Sequence, residues 1–183
     1  MEAAQIGKLL ADRFGDAIVE LKTDVPLAWA KVKPERLVEI SKFLRDDPQT
    51  RFDFLRAIAG MDFPNENEFE LVYLLFSYVH RHRFTVKTRI PRNAPRIATV
   101  EGVWPAANWH EREAYDLFGI EFEGHSDLRR LLLPDDWVGY PLRKDYKEAE
   151  EYHGVSTTRS YPTGMTEIPT RPSKPAPETK QET

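Results

Sequence analysis

The chain has 183 residues, of which 40% are hydrophobic and 31% are charged, and its formal net charge is −4. This length suits one ordinary domain with an additional segment. No apolar run approaches the ~18 residues that a membrane span requires, and the small acidic excess is unlike the basic surplus of general nucleic-acid-binding proteins. The sequence has no cysteine, which excludes disulfides, thiolate nucleophiles and cysteine-ligated zinc or iron–sulfur clusters.

Residues 1–91 predict a small α+β domain. Apolar residues at helical spacing predict a helix over 3–14, and Pro34 at a first-turn position predicts a second helix that ends at Asp47, before Pro48. Strands are predicted at 17–21, 27–32, 55–62, 69–79 and 84–90, although part of 55–62 also suits a helical turn. The order helix, hairpin, helix and three-stranded meander is typical of a two-layer α/β domain with a mixed sheet. Alternation along the last strand predicts one covered sheet face and one that faces water or a partner.

A third helix is predicted over 104–119, with Pro105 in its first turn and Gly119 as its C-cap. Glu111 lies in the middle of an apolar face that comprises Trp104, Ala107, Ala114, Tyr115 and Phe118. The opposite face comprises Trp109, Arg112, Glu113 and Asp116. The pattern therefore predicts a carboxylate among apolar side chains and a tryptophan among charges.

Both unusual residues have two interpretations. Glu111 is either an acid or base with a raised pKa or one half of a structural ion pair, because an unpaired buried carboxylate is costly. Arg129 and Arg130 are the candidate cations, since Arg112 is predicted to point away. Trp109 is either an interface anchor or a tryptophan that packs on the C-terminal tail.

Residues 120–147 predict an extended segment that ends the folded part. Its many large side chains are interrupted by Gly124, Pro134, Gly139 and Pro141, too often for long helices or strands. An extended segment with this many apolar residues is expected to lie along a groove, either of its own domain or of a neighbouring protein.

Other possible sites have simpler explanations. His80 and His82 lack a neighbouring cysteine or carboxylate and are interpreted as solvated turn residues rather than metal ligands. Asp135 and Asp136 are interpreted as turn acids rather than a cation site.

Two cationic pairs lie in the extended segment, Arg129-Arg130 and Arg143-Lys144. Nucleic acid is one possible target. Their apolar flanks and the negative net charge instead favour salt bridges to an acidic groove of a partner protein.

From Glu111 to Tyr146 the residues follow a recognisable order. They run Glu111-Arg112-Glu113, Asp116-Leu117-Phe118-Gly119-Ile120, Gly124-His125, Asp127-Leu128-Arg129-Arg130-Leu131-Leu132 and Pro141-Leu142-Arg143-Lys144-Asp145-Tyr146. In this order the chain resembles the C-type subunit family of respiratory NADH:quinone oxidoreductase (complex I), the small peripheral-arm subunit that holds no cofactor. It departs at Ser126, where the family usually has proline, and one turn is expected to be looser there.

The resemblance implies a structural subunit of the peripheral arm with no catalytic residue, cofactor or metal of its own. It implies docking on the D-type quinone-binding subunit and on neighbouring iron–sulfur subunits, with FMN, iron–sulfur clusters and quinone held by other subunits. The family motif and expected interface comprise Trp109, Glu111, Arg112, Glu113, Asp116, His125, Asp127, Arg129, Arg130, Arg143, Lys144, Asp145 and Tyr146.

The implied location is peripheral, on the cytoplasmic side of the bacterial inner membrane or on the matrix side in mitochondria. The start of the chain lacks a basic, acid-poor presequence, which favours the bacterial setting. Two alternatives stay open. One is the equivalent subunit of a related membrane complex fed by ferredoxin, deazaflavin or hydrogen. The other is a free-standing hydrolase or lyase that uses Glu111, Asp116 and His125.

The composition changes near Glu150. Residues 161–183 contain five prolines and only four apolar residues, namely Tyr161, Met165, Ile168 and Ala176. Such a composition cannot offset the entropy of ordering. We therefore predict a folded part over 1–147, which includes the extended docking segment 120–147, and a flexible proline-rich tail over 148–183.

Overall fold

The computed structural model describes residues 1–157 of the chain. The helices are α1 (Ala3–Phe14), α2 (Leu37–Asp46) and α3 (Ala107–Phe118). The strands are β1 (Ile18–Lys22), β2 (Trp29–Val32), β3 (Phe54–Phe63), β4 (Glu68–Ser77), β5 (His82–Pro91), β6 (Arg96–Ala98), β7 (Glu121–Glu123), β8 (Glu151–Tyr152) and β9 (Val155–Ser156).

A mixed five-stranded sheet carries the domain, in the order β1-β2-β5-β4-β3. The hairpin β1–β2 and the meander β3–β4–β5 are antiparallel, as predicted from their turns. The parallel pairing of β2 with β5, in which Trp29 lies opposite Thr85, joins the two units into one sheet. The predicted α+β class with a mixed sheet is confirmed.

The core lies between the three helices and one face of this sheet. The helices contribute stripes at three- and four-residue spacing, such as Ile6, Leu10 and Phe14 of α1. The facing side chains of β4 and β5 are buried at alternate positions, among them Tyr73 and Phe84. The opposite face carries the half-buried or exposed side chains Trp29, Lys31, Ala59, Met61, Val72 and Leu74, so it stays accessible.

The helix that carries the family motif begins later than predicted. The α-helix starts at Ala107, and Pro105 lies in the preceding turn. Trp104 is buried outside the helix because its indole N–H donates to the Phe52 carbonyl oxygen at 2.8 Å. The predicted end is confirmed, since Gly119 adopts φ +72° and its N–H donates to the Tyr115 carbonyl oxygen.

The short parallel pair β6–β7 was not predicted. Arg96 pairs with Glu121, Ile97 with Phe122 and Ala98 with Glu123. Strands of three residues carry too little alternation to be recognised in a sequence. The pairing holds the start of the extended segment, which follows directly after the C-terminus of α3, against β6.

From Glu148 the chain forms a second unit, whose described residues contain the β8–β9 hairpin. Residues 158–183, with Tyr161, Met165 and Ile168, lie outside the described residues, and the flexible tail over 148–183 stays a prediction. Within residues 1–157 no helix is long and apolar enough to cross a membrane.

Candidate docking site

One buried carboxylate fastens the extended segment to α3. Oδ2 of Asp116 accepts three consecutive backbone N–H groups, from Leu131 (3.1 Å), Leu132 (2.7 Å) and Leu133 (2.9 Å). Its Oδ1 accepts a hydrogen bond from the Arg130 guanidinium at 2.8 Å. Burial acts to raise the pKa of Asp116, but these N–H donors outweigh it and hold the pKa below its ordinary value. Asp116 is therefore charged at neutral pH and holds the loop of three leucines.

Two arginines complete the attachment. Arg130 also donates to the Trp137 carbonyl oxygen at 3.0 Å, which links Asp116 to a later turn. Arg112 is buried, and its guanidinium donates to the carbonyl oxygens of Arg129 and Arg130, both at 3.2 Å. An arginine does lie beside a carboxylate of α3, but it is Arg130 beside Asp116 rather than beside Glu111, and its side chain is 17% exposed. The prediction that Arg112 points away is wrong, because the extended segment covers its side of α3 and presents carbonyl groups to it.

The cation predicted for Glu111 is also wrong. Glu111 is fully buried, but its Oε1 accepts the Val100 N–H at 2.8 Å and its Oε2 accepts the Thr99 hydroxyl. Within residues 1–157 its only ion-pair contact is with the His125 ring, whose Nε2 lies 3.9 Å from Oε2. Arg130 is bound to Asp116 instead. Glu111 thus links α3 to the loop that follows β6.

Burial raises the pKa of Glu111 to about 7, against the bonds from Thr99 and Val100 that favour its charged form. The buried His125 side chain accepts the Asp127 N–H on Nδ1 at 3.0 Å, so its ring proton lies on Nε2, 3.1 Å from the Asn108 carbonyl oxygen. Glu111 therefore exchanges its proton near neutral pH, as a packed structural group.

A second acid, Glu101, pins the beginning of the extended segment. Its carboxylate accepts the Ser126 N–H at 2.7 Å, the Ser126 hydroxyl at 3.1 Å and the Asn108 amide at 2.9 Å. The expectation of a looser turn at Ser126 misses these bonds, since a proline there has neither the N–H nor the hydroxyl.

The end of the extended segment is tied to the sheet. The buried Asp62 side chain of β3 accepts the Lys144 N–H at 2.8 Å and pairs with Arg92 at 2.8 Å. Arg92 also binds Asp145. The Tyr146 ring packs against Gly139, where an added Cβ would lie 2.9 Å from it. Residues 141–146 therefore act mainly as a clasp within the domain.

Gly119 allows the segment to return over the end of α3. Arg143 donates to the Phe118 carbonyl oxygen at 2.7 Å and stacks 4.6 Å from the Tyr140 ring centroid. A Cβ on Gly119 would lie 2.5 Å from the Tyr140 ring and 2.8 Å from the Arg143 guanidinium, at a φ of +72°.

Gly119→Ala is expected to lower the free energy of unfolding by about 1–3 kcal/mol, because strain and overpacking act together. Urea unfolding of the purified chain measures this. The matched control is Gly102→Ala, since a Cβ on Gly102 would meet nothing within 4 Å. An equal loss in both variants would contradict the close approach of Tyr140.

The attached segment and α3 leave a set of side chains exposed. Trp109 is 60% exposed and Val138 is 84% exposed, and Leu132 and Leu142 are also exposed. Arg112 lies 5.1 Å from the Trp109 ring centroid and holds the indole in place. Lys144 is exposed, while Arg129 is 72% exposed and forms an ion pair with its neighbour Asp127. Glu113 is also exposed. The alternative partner of Trp109, the tail beyond residue 157, lies outside the described residues.

Of the predicted motif residues, the structure brings Asp116, Arg112 and Arg130 together at one attachment and Glu111 with His125 at another. Lys144 and Asp145, in the extended segment, belong to a third attachment, which joins that segment to Asp62 of β3 and to Arg92. The structural acids Asp62 and Glu101, with Arg92, were missed, because nothing in their local sequence distinguishes them from surface charges.

No three His, Asp or Glu side chains within the described part of the chain are grouped closely enough to hold a metal ion. His80 and His82 bind the carbonyl oxygens of Pro48 and Thr50, at 2.9 and 2.7 Å. His82 is half-buried against the Phe52 ring, which corrects its interpretation as a solvated residue.

Comparisons with known proteins show which family has this sequence and fold. Residues 30–152 match the family described as respiratory-chain NADH dehydrogenase, 30 Kd subunit. A relative from Chloroherpeton thalassium, named as the C-type subunit of NADH-quinone oxidoreductase, is 42% identical over 150 residues. The match covers 81% of this chain and 62% of that relative, so the chain spans less than two thirds of its length.

Two solved structures share the fold. A chain of the membrane-bound sulfane sulfur reductase, an archaeal respiratory membrane complex, matches with a TM-score of 0.69 and 29% identity, over 80% of this chain and 86% of that one. A trypsin-resistant fragment of Nqo5 matches with a TM-score of 0.57 and 32% identity, over 70% of this chain and the whole fragment. With the match to residues 30–152, these likenesses show that the chain belongs to the family of the 30-kDa subunit of respiratory-chain NADH dehydrogenase.

Proposed function

We propose that this chain is a structural subunit in the peripheral arm of a proton-translocating NADH:quinone oxidoreductase. It supports electron transfer from NADH to quinone by docking on the D-type quinone-binding subunit and on neighbouring iron–sulfur subunits. The observation that carries this proposal is an irregular segment, 124–147, that is fastened at three attachments yet leaves large apolar side chains in solvent.

Rigid attachment distinguishes this segment from an ordinary loop. Asp116, Glu101 and Asp62 bind its backbone N–H groups, so its exposed side chains are held before any partner arrives. A pre-ordered apolar surface loses little entropy on binding and favours a lasting contact. The docking surface of this proposal therefore comprises Leu132, Val138 and Leu142, with Trp109 and Lys144.

Catalysis and electron transfer belong to other subunits in this proposal. The sequence has no cysteine to hold an iron–sulfur cluster. Glu111, Asp116 and His125, the candidates for a hydrolase or lyase, are buried and bound to the protein's own backbone. FMN, the clusters and quinone are thus assigned to the partners, and the chain lies peripherally on the cytoplasmic side of the inner membrane, or on the matrix side in mitochondria.

The test replaces two exposed residues of the docking surface. The double variant Leu132→Asp with Val138→Asp is expected to melt like the parent, because both side chains are exposed, while the tagged chain no longer retains the quinone-binding subunit on purification from membranes. Val79→Asp, which changes an exposed apolar residue in the β4–β5 turn, is the matched control. Retention of the partner by the double variant would refute the docking surface.

A second candidate is the equivalent subunit of a related membrane complex fed by ferredoxin, deazaflavin or hydrogen. The likeness to a chain of the archaeal sulfane sulfur reductase favours it. Activity assays on membranes that contain the tagged complex distinguish the two candidates. Oxidation of NADH coupled to quinone reduction supports the first. Activity only with another donor supports the second.

A further inference from the structure

Strand β3 leaves one long edge of the sheet unpaired. It runs for ten residues and, within residues 1–157, pairs only with β4. Among residues 1–157, no hydrogen bond from outside the β3–β4 pair reaches the main chain of residues 54–62. Phe54, Arg56, Ala59 and Met61 are exposed along it, so the edge is accessible to another molecule.

The middle of this edge, from Ala57 to Met61, lacks the usual protection against pairing, whereas Arg56, Asp62 and an irregular register between Leu55 and Ala57 lie towards its ends. Proteins shield open edges with short strands, lysine, proline or other charges. The opposite edge, β1, has five residues and carries Glu20 and Lys22. On β3, the stretch from Ala57 to Met61 has no charge and no proline. The unprotected edge is therefore the one at which α3 and the extended segment also lie.

An apolar cavity flanks β3 on its helix side. It has a volume of about 230 Å³ and is lined chiefly by Ile58, Gly60, Ala114, Leu117, Phe118 and Leu142, with Ala59 and Glu113 also bordering it. The Phe118 ring packs so closely on Gly60 that a Cβ there would lie 2.7 Å from it. The cavity thus exists beside a strand whose own side chains cannot fill it.

A second apolar cavity flanks β3 on the open face of the sheet. It has a volume of about 520 Å³ and is lined chiefly by Leu27, Trp29, Ala59, Met61, Val72 and Leu74. Ala59 borders both cavities. A strand added next to β3 sends alternate side chains to the two faces of the sheet, so one residue enters each cavity in turn.

We propose that the edge of β3 receives a strand from a partner protein of the complex, which extends the sheet to six strands. This inference rests on the proposed function, since Leu142 belongs both to the helix-side cavity and to the docking surface. The incoming strand of the partner is apolar on both faces over four or five residues and carries a lysine or arginine opposite Glu113. Glu113 lines the cavity and has no ion-pair partner among the described residues.

A second copy of this chain fits the edge less well than a foreign strand. In its β3 the helix-side residues Ile58 and Gly60 already lie beside its own α3. Pairing two such edges brings the two cavities together without filling either. A foreign strand with large side chains fills both faces.

Hydrogen–deuterium exchange of the peptide that spans 54–63 tests the proposal, with the purified full chain compared to the complex isolated from membranes. The outward-facing amides are expected to exchange at least about tenfold more slowly in the complex. Equal exchange in both samples, with the chain present in the complex, would overturn the strand and leave the proposed function intact. Absence of the chain from the complex would overturn the proposed function and this partner together.

Two further results separate the occupants. Slow exchange of 54–63 in the purified chain that becomes slower at higher protein concentration would assign the edge to a second copy. Slow exchange that is lost when residues 158–183 are deleted would assign the edge to the chain's own tail. Either result would overturn the proposal. Ala59→Lys is expected to leave the melting temperature unchanged and to lose protection of 54–63 in the complex. Val19→Lys on β1, also exposed, is the control and is expected to keep it. Unchanged protection in Ala59→Lys would also overturn the proposal.

Discussion

Asp116→Asn is expected to lower the free energy of unfolding of the chain by about 3–5 kcal/mol, the usual cost of removing one partner of a buried ion pair. The neutral amide leaves Arg130 without a counter-charge, and the amide oxygen cannot replace a carboxylate oxygen that accepts three N–H groups. A loss of this size is a large share of the ~5–15 kcal/mol that stabilises a domain. Urea unfolding at pH 7 measures it.

The control for this experiment lies on the same segment. Asp127→Asn breaks the exposed Asp127–Arg129 pair and is expected to cost no more than about 1 kcal/mol. The two arginines make a parallel comparison, in which Arg130→Ala lowers the melting temperature clearly and Arg129→Ala leaves it near that of the parent. Equal losses from Asp116→Asn and Asp127→Asn would show that the segment is not held by α3.

The same contacts predict a loss of stability in acid. Because the pKa of Asp116 is lower in the folded chain than in the unfolded chain, its contribution is complete above its ordinary pKa of 3.8 and disappears as pH falls through the folded value. The free energy of unfolding of Asp116→Asn is therefore expected to fall less steeply than that of the parent as the pH is lowered into the acid range.

Local patterns predicted those parts of the fold that local chemistry decides. Turns and alternation identified the hairpin and the meander, and Gly119 marked the end of α3 because a positive φ favours glycine. The parallel pairing of β2 with β5 joins residues far apart in sequence, and no short-range pattern specifies it. Helical periodicity describes one helix alone, so it placed Arg112 on a face that points to solvent. It could not include the extended segment that returns over that face.

The candidate site was predicted in composition but not in connectivity. The sequence pointed to one carboxylate on the apolar face of α3, Glu111, and to arginines that follow it. The pair that forms is instead Asp116 with Arg130, and Asp116, placed by periodicity on the charged face, is fully buried. Glu111 was assigned a cation because a buried charge requires one. The structure meets the same requirement in another way, with two hydrogen bonds and a pKa of about 7 that allows the group to be neutral.

The neutral form of Glu111 leads to an expected dependence of stability on pH. The pKa of Glu111 is about 7 in the folded chain against 4.5 as its ordinary value, so between these values the folded chain holds one proton more than the unfolded chain. Stability therefore falls as pH rises through this interval and levels off above pH 7, with a total loss of about 3 kcal/mol at about 1.4 kcal/mol per unit of pKa.

Glu111→Gln isolates this contribution, because glutamine imitates the protonated acid: its oxygen still accepts the Val100 N–H and its amide donates to the Thr99 hydroxyl. The variant is expected to match the parent at pH 5 and to exceed it by about 2–3 kcal/mol at pH 8 in urea unfolding. Glu101 and His125 also face this carboxylate, and both residues are kept in the variant, so the difference between the two curves follows from the replacement of Glu111. Glu113→Gln, on the exposed side of α3, is the control and is expected to leave the curve unchanged. A parent whose stability rises between pH 5 and 8 as much as that of Glu111→Gln would show that Glu111 is charged in the folded chain and would contradict this prediction.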